Sequence, residues 1–237
     1  MIRLLAVYET DKSLLVPAGG RHDGPMVEDQ LRASVDLAFD AAGRGMPPWP
    51  PPHPDRPPLE VEYSRVTDAK KWRIIGARAD AWVIALVEAG LAEVERLTVI
   101  PWRVPPTTVI SRADGVIPGA AGALPMVIAR SQLAEIPDAG VTLGVGDPAV
   151  CVAWFPHCGC DACDSGSRDV LDDLDAHVLG VVSGAFRRLS SGGSEITVIG
   201  DGRRSASDLP PGADVGRILA DPTGWREVSG ASWLRPN

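Results

Sequence analysis

Three cysteines lie within six residues of one another, at Cys158, Cys160 and Cys163. The small residues Gly159 and Ala162 between them allow a tight turn, so the three thiols can converge on one point. Zinc takes four ligands in a tetrahedron and prefers thiolate sulfur and imidazole nitrogen. The spacing therefore predicts a structural or regulatory zinc site, with the three cysteines as ligands.

The loop supplies three of the four ligands, and the fourth is open between His157, Cys151, a nearby aspartate, a distant residue and water. His157 adjoins Cys158, so both can bind one ion only where the backbone bends sharply between them. His177 is a poor partner, because it lies about ten residues into the next predicted helix, roughly 15 Å from its start. We take His157 and the three cysteines as the predicted ligand set.

Two alternatives remain for the same loop. In the first, the thiols serve as a redox enzyme or sensor, since Cys163 precedes a predicted helix N-terminus, which lowers the pKa of a thiol. Asp161 and Asp164 oppose this effect, because neighbouring negative charge disfavours a second anion. In the second, the cysteines only pack in a turn, and the protein is an interaction domain without metal whose partner binds an acidic helix or a proline-rich segment.

Several catalytic patterns do not occur in the chain. Zinc deaminases need H-x-E followed by P-C-x-x-C, whereas Pro156 is followed here by His157. The segment Gly144-Val145-Gly146 does not extend to G-x-G-x-x-G, so we expect no nucleotide cofactor. These patterns leave any enzymatic activity unassigned.

Composition limits the classes of partner. The chain has 237 residues, 45% of them hydrophobic, and a formal net charge of −8. Nucleic acids and anionic membranes attract an excess of Lys and Arg, so we expect neither as a partner. No stretch reaches the roughly 20 apolar residues that a membrane span needs. We expect a cytoplasmic protein, in which thiols are normally kept reduced and clustered cysteines favour metal or redox chemistry.

The helix that must position the loop is predicted from Ser167 to Leu189. At 100° per residue, one face carries the apolar side chains of Leu171, Leu174, Val178, Val181, Val182, Ala185 and Leu189. Arg187 and Arg188 would then complement the helix dipole in the last turn. A solvated face is predicted for the acidic residues Asp169, Asp172, Asp173 and Asp175.

Short strands separated by Pro and Gly are predicted at 107–111, 125–129, 141–144, 149–155 and 195–199. The spacing of Gly146-Asp147-Pro148 indicates a hairpin turn between two of them. Helices come first and strands later, without regular alternation. This order predicts an α+β fold, with a mixed or antiparallel sheet and packed helices.

The first part of the chain is predicted to contain a β-hairpin within 1–16 and a helix that starts at Asp23-Gly24-Pro25. The proline-rich run Pro47–Pro58 cannot form helix or sheet interior and is expected to be an extended polyproline II strut. A half-buried strand or extended lead-in at Leu59–Ser64 follows, and then a long helix from about Asp68 to Leu97, with Gly76 and Gly90 as candidate interruptions. We expect one domain over 1–237, in which the strut separates 1–46 from the main body at 59–237.

The cysteine loop also carries a resemblance to a known family. The run from Cys158 to Ser167 (CGCDACDSGS) resembles a family of functionally uncharacterised actinobacterial proteins. The segments Gly122–Pro125, Gly146–Val150 and Val181–Gly184 are similar to the same family, as are Leu171 and Leu174-Asp175. The resemblance extends over about 59–233 and implies a domain of unknown function, without an activity.

Overall fold

The computed structural model of the protein describes residues 28–200 and 202–234. The predicted hairpin within 1–16 and the predicted helix start at 23–25 lie outside these residues. The described part of the chain contains four α-helices: α1 (Glu28–Ala42), α2 (Arg73–Glu88), α3 (Ser167–Val182) and α4 (Val215–Ala220). None of its helices is long and apolar enough to cross a membrane.

In the residues that the structure describes, nine strands form two antiparallel sheets, which confirms the predicted α+β fold. The first sheet is a meander in chain order, made of β1 (Ala92–Leu97), β2 (Ile110–Pro118), β3 (Met126–Leu133), β4 (Ile136–Val145) and β5 (Val150–Phe155). The second sheet has the order β8-β7-β6-β9, with β6 (Phe186–Ser191), β7 (Ser194–Ile199), β8 (Arg203–Ser207) and β9 (Arg226–Ser229). Val145 pairs with Val150, so the predicted hairpin turn between β4 and β5 is confirmed.

The main core lies between α2 and one face of the first sheet. Val141, Leu143 and Val145 alternate along β4 and are buried against the helices, as the two-residue period of a strand requires. The side chains of Trp82 and Leu86 in α2 are fully buried. Both α1 and α3 also contact α2, which makes α2 the central helix of this layer.

A buried ion pair joins α2 to α3. Arg78 Nε donates to Asp175 Oδ1 across 2.9 Å, and Trp82 Nε1 donates to the same oxygen across 2.6 Å. Asp175 is 5% exposed, so the prediction that it belongs to a solvated acidic face is wrong. The burial has a physical reason, because two donors from α2 replace the water that the carboxylate loses.

Helix α3 directly follows the cysteine loop and fixes the position of its C-terminal end. Leu174, Val178 and Val182 are buried, as the apolar stripe predicts, and Leu171 is half-buried at the edge of the core. The helix ends at Val182 and not at Leu189, because Gly184 turns the chain with φ +80°. Arg187 and Arg188 therefore lie on β6, not in the last turn of the helix.

Two further predictions, one of a helix end and one of an element type, are wrong. The helix expected over Asp68–Leu97 is α2 followed by β1, because Gly90 adopts φ +69° and reverses the chain after Glu88. The strand expected at Leu59–Ser64 contains a short 3₁₀ helix, Glu60–Ser64. The Glu62 side chain stabilises this turn, since its carboxylate accepts the backbone N–H of Leu59 across 2.6 Å.

Candidate metal centre

The structure brings the three predicted cysteines together. The sulfur atoms of Cys158, Cys160 and Cys163 all lie within 4.8 Å of one another, and those of Cys158 and Cys160 are 3.1 Å apart. Zinc–sulfur bonds of about 2.3 Å in a tetrahedron place two sulfurs about 3.8 Å apart. The cluster therefore reaches the size that one metal ion requires with small movements of the thiols.

The cluster lies between β5 and α3 and consists of one buried and two exposed cysteines. Cys160 is buried, whereas Cys158 and Cys163 are exposed. One turn of 3₁₀ helix, Asp161–Cys163, separates the second cysteine from the third, and the N–H of Cys163 donates to the carbonyl of Cys160. This turn brings two cysteines that are three positions apart to the same side of the loop.

The hydrogen bonds of the cluster give the thiols different acidities. Burial raises the pKa of Cys160, but hydrogen bonds from the Cys158 thiol and from the backbone N–H groups of Cys163 and Ala162 outweigh it, so this pKa is lowered. The hydrogen bond to Cys160, followed by burial, raises the pKa of Cys163 to about 11. Cys160 is therefore the sulfur prepared to be a thiolate, and not Cys163, which sequence reasoning favoured from its place before the helix.

Asp161 fastens the first half of the loop to residues 53–67. Its carboxylate accepts the N–H of Thr67 across 2.8 Å and Nε of Arg65 across 2.6 Å, and it also accepts the Thr67 hydroxyl. Its N–H donates to the carbonyl of Arg65, and its carbonyl lies 3.2 Å from Nε2 of His53. Burial raises the pKa of Asp161, but the bonds from Thr67 and Arg65 outweigh it and bring the pKa to about 2.

Asp164 fastens the second half of the loop in the same way. Its carboxylate accepts the indole N–H of Trp49 across 2.9 Å and the N–H of Gly166, and it pairs with the ammonium of Lys71. The N–H of Trp49 also donates to the hydroxyl of Ser167, the first residue of α3, and the N–H of Ser167 donates to the carbonyl of Trp49. Cationic partners thus neutralise both aspartates that were expected to disfavour a thiolate.

Close packing at Gly166 explains why the proline-rich run can lie against the loop. Gly166 adopts φ +89°, and a Cβ at this position would lie 2.8 Å from the nitrogen of Pro51. Only glycine adopts such a conformation readily and leaves room for the neighbouring backbone. The proline-rich run is therefore in close contact with the cysteine loop at Pro50 and Pro51.

His157, the predicted fourth ligand, lies at the exposed edge of the loop. Its Nε2 is 3.2 Å from Oδ2 of Asp173 on α3. Asp173 also binds Arg203 and lies beside His177, and these contacts hold its pKa well below the usual range, with the His177 bond as the largest cause. Cys151 is not a member of the cluster, and its thiol donates to the carbonyl of Ala153 on β5.

The sequence did not predict the partners of Asp161 and Asp164. Trp49, Arg65 and Lys71 lie 93 to 115 positions before the aspartates that they bind. No spacing rule relates residues at such separations. The proline-rich composition around Trp49 is a signal for a stiff, extended chain, but it does not indicate what that chain lies against.

Fold and site together define the class of protein. It is an α+β protein with two antiparallel sheets and a cluster of three thiols just before the N-terminus of α3, a helix with one buried face. The chain belongs to the family of unknown function DUF6226, whose model matches residues 35–234. This match supports the predicted membership of a domain family without a known activity. No curated protein and no solved structure matches the chain.

Proposed function

We propose that the cysteine loop is a structural or regulatory zinc site with Cys158, Cys160 and Cys163 as ligands. The observation that carries this proposal is the convergence of the three sulfurs within 4.8 Å. The lowered pKa of Cys160, to which the Cys158 thiol and the backbone N–H groups of Cys163 and Ala162 contribute, supports it, because groups that stabilise a thiolate also stabilise a metal-bound one. The ion would tie the end of β5 to the start of α3.

We propose His157 as the fourth ligand, through Nδ1. Its Nε2 is within hydrogen-bond distance of Asp173, and histidines that bind a metal usually donate their other N–H to a carboxylate. This partner would hold the ring in the tautomer that leaves Nδ1 unprotonated for the metal. The ring would need to approach the thiols from the exposed side of the loop.

Metal content and thiol titration test this proposal. Protein purified under reducing conditions should contain about one zinc per chain, as expected for a structural site, released when a mercurial reacts with the thiols. Cys158→Ser should lower both zinc content and melting temperature. Cys151→Ser is the matched control on neighbouring β5 and should retain the zinc. Metal-free protein whose loop thiols titrate freely, with no effect of added zinc on melting, would contradict the proposal.

A redox role for the same thiols is the second candidate. It is favoured by the convergence of all three sulfurs within 4.8 Å, by the lowered pKa of Cys160 and by the exposure of Cys163. The expected bonds are Cys158–Cys163 or Cys160–Cys163, because a single intervening residue strains a disulfide. Mass mapping after mild peroxide should find one of these bonds, reversible by a dithiol. Three unmodified thiols would contradict this candidate.

A further inference from the structure

The segment between α1 and the start of α2 has little regular structure of its own. We call residues 47–67 the connecting segment. Its only helix or strand is the five-residue 3₁₀ helix Glu60–Ser64. A segment without a strand ladder or an α-helix is held mainly by side-chain contacts and by bonds to its neighbours. The connecting segment therefore stays attached to the body of the protein only while the residues that it contacts keep their positions.

Its long-range polar contacts converge on the cysteine loop. Trp49, His53, Arg65 and Thr67 all bind Asp161, Asp164 or Ser167. Asp161 lies between two cysteines of the cluster, and Asp164 directly follows the third. A movement of the loop backbone that separates Cys160 from Cys163 therefore also moves the two carboxylates that hold the segment.

We propose that metal occupancy of the thiol cluster controls the attachment of the connecting segment to the body of the protein. This inference rests on the proposed metal site. With an ion bound, the sulfurs are drawn together and the loop keeps Asp161 and Asp164 in place. Without an ion, no bond joins the three sulfurs, and one turn of 3₁₀ helix is the internal structure that the loop retains, so the loop opens more readily. The state of the cluster is then transmitted to residues 47–67.

The packing of α2 is independent of the connecting segment, so release of the segment differs from unfolding of the whole protein. Trp72, which packs edge to face on Trp49 with 5.3 Å between ring centres, immediately precedes α2 and is itself buried in the core. Helix α2 packs on β4 and α1, and its ion pair with α3 involves Asp175, two turns beyond the loop. Release of the segment therefore leaves the contacts of α2 intact.

Hydrogen exchange of the full chain tests the inference. Reduced protein is compared with stoichiometric zinc and after removal of zinc by a chelator. We expect amides of 49–67 to exchange at least about tenfold faster without zinc, as in local opening, whereas amides of α2 keep their protection. Trypsin cleavage after Arg65, which is half-exposed, should accelerate in parallel.

A substitution in the connecting segment distinguishes the loss of a contact with the cysteine loop from the loss of zinc. Trp49→Phe removes the indole N–H that Asp164 accepts but touches no cysteine. It should speed exchange of 49–67 while zinc stays bound, and Asp172→Asn on the exposed face of α3 should change neither. If zinc binds and its removal leaves exchange of 49–67 unchanged, or speeds α2 equally, the inference is wrong and the metal site stands. If zinc does not bind, the proposed function itself fails.

Discussion

At the scale of single residues, the thiols and the carboxylates of the cysteine loop have different partners. The sulfurs of the three cysteines face one another, while the carboxylates of Asp161 and Asp164 bind Arg65 and Lys71. The carboxylates are therefore engaged elsewhere and do not add uncompensated negative charge to the thiols. The lowered pKa of Cys160 in this loop depends on the hydrogen bond from the Cys158 thiol and on backbone N–H groups, which together outweigh burial.

The ligand role of His157 leads to the first residue-scale prediction. His157→Ala should change the visible spectrum of the cobalt-substituted protein, because one nitrogen ligand is lost. Asp173→Asn should weaken metal binding by about 10–100-fold, the usual effect of losing the carboxylate behind a metal-bound histidine.

Arg203→Ala provides the control, since Arg203 binds the same carboxylate but not the imidazole ring. It should leave the cobalt spectrum unchanged. A His157→Ala protein with the parent spectrum would show that the fourth ligand is another group, and the three cysteines would remain as the site.

Glu62 supports a prediction on pH dependence. Its carboxylate pairs with Arg56 and accepts the N–H of Leu59, and these contacts, with Arg56 the largest, lower its pKa from 4.5 to about 2. A carboxyl group with a lowered pKa in the folded state stabilises that state above its unfolded pKa and loses the contribution as pH falls. The contribution of Glu62 is therefore full above about pH 5 and is lost between about pH 4.5 and pH 2.

Urea denaturation across this pH range measures the effect. Glu62→Gln should lower the free energy of unfolding at pH 7 and show a smaller decrease on acidification than the parent protein. Glu60→Gln, an exposed change in the same 3₁₀ helix, should follow the parent curve. Parallel curves for parent and Glu62→Gln proteins would contradict the assigned pKa shift.

At the scale of elements, α3 is divided into a buried face and an exposed one. Leu174 is fully buried and Asp172 is exposed. Leu174→Ala should cost about 2–5 kcal/mol, the usual range for a buried leucine, whereas Asp172→Ala should change stability by less than about 0.5 kcal/mol. Denaturant melts of both variants decide the point, and equal losses would show that the acidic face is itself packed or bound.

The same helix shows why an acidic face is not uniform. Asp169 and Asp172 are exposed, Asp173 is half-buried between histidine and arginine partners, and Asp175 is buried on Arg78. Successive carboxylates along one helix thus serve as a solvated group, a partner of histidine and arginine side chains, and one half of an internal ion pair. Helical periodicity separates apolar from polar positions, but what lies opposite each polar position depends on the neighbouring element.

At the scale of the whole molecule, one close contact joins α3 to the second sheet. A Cβ at Gly180 would lie 2.5 Å from Cγ2 of Ile199 and 2.9 Å from the nitrogen of Gly200, at the end of β7. Alanine is the better helix former by about 1 kcal/mol, so an isolated helix would gain from Gly180→Ala. In this protein the clash should prevail, with a net loss of about 1–3 kcal/mol, as for other overpacked sites.

Thermal unfolding of Gly180→Ala, compared with Gly119→Ala, measures this loss. The added methyl at Gly119 would have only one neighbour within 4 Å, the carbonyl oxygen of Leu91 at 3.9 Å. The control should therefore melt near the parent temperature. A stabilised Gly180→Ala protein would show that the second sheet moves aside easily.

The sequence by itself determined the features that depend on neighbouring positions. Cysteines two and three positions apart must lie near one another, the apolar stripe of α3 follows its 3.6-residue period, and the turn at Gly146-Asp147-Pro148 is a local matter. The existence of most strands and the α+β class follow from the same short-range patterns. Element ends were less well predicted, because a glycine in a helical pattern can either continue the helix or, as Gly90 and Gly184 do, end it.

Only the tertiary structure decided what surrounds the thiols. It placed Trp49 on Asp164 and Thr67 on Asp161 across 115 and 94 positions of chain, and it buried Asp175 on Arg78 across 97. Contacts at these separations arise when whole elements pack, and their identity depends on the path of the backbone between them. A local pattern carries no information on that path, and for this reason the cysteine loop could be located from sequence but the segment that it holds could not.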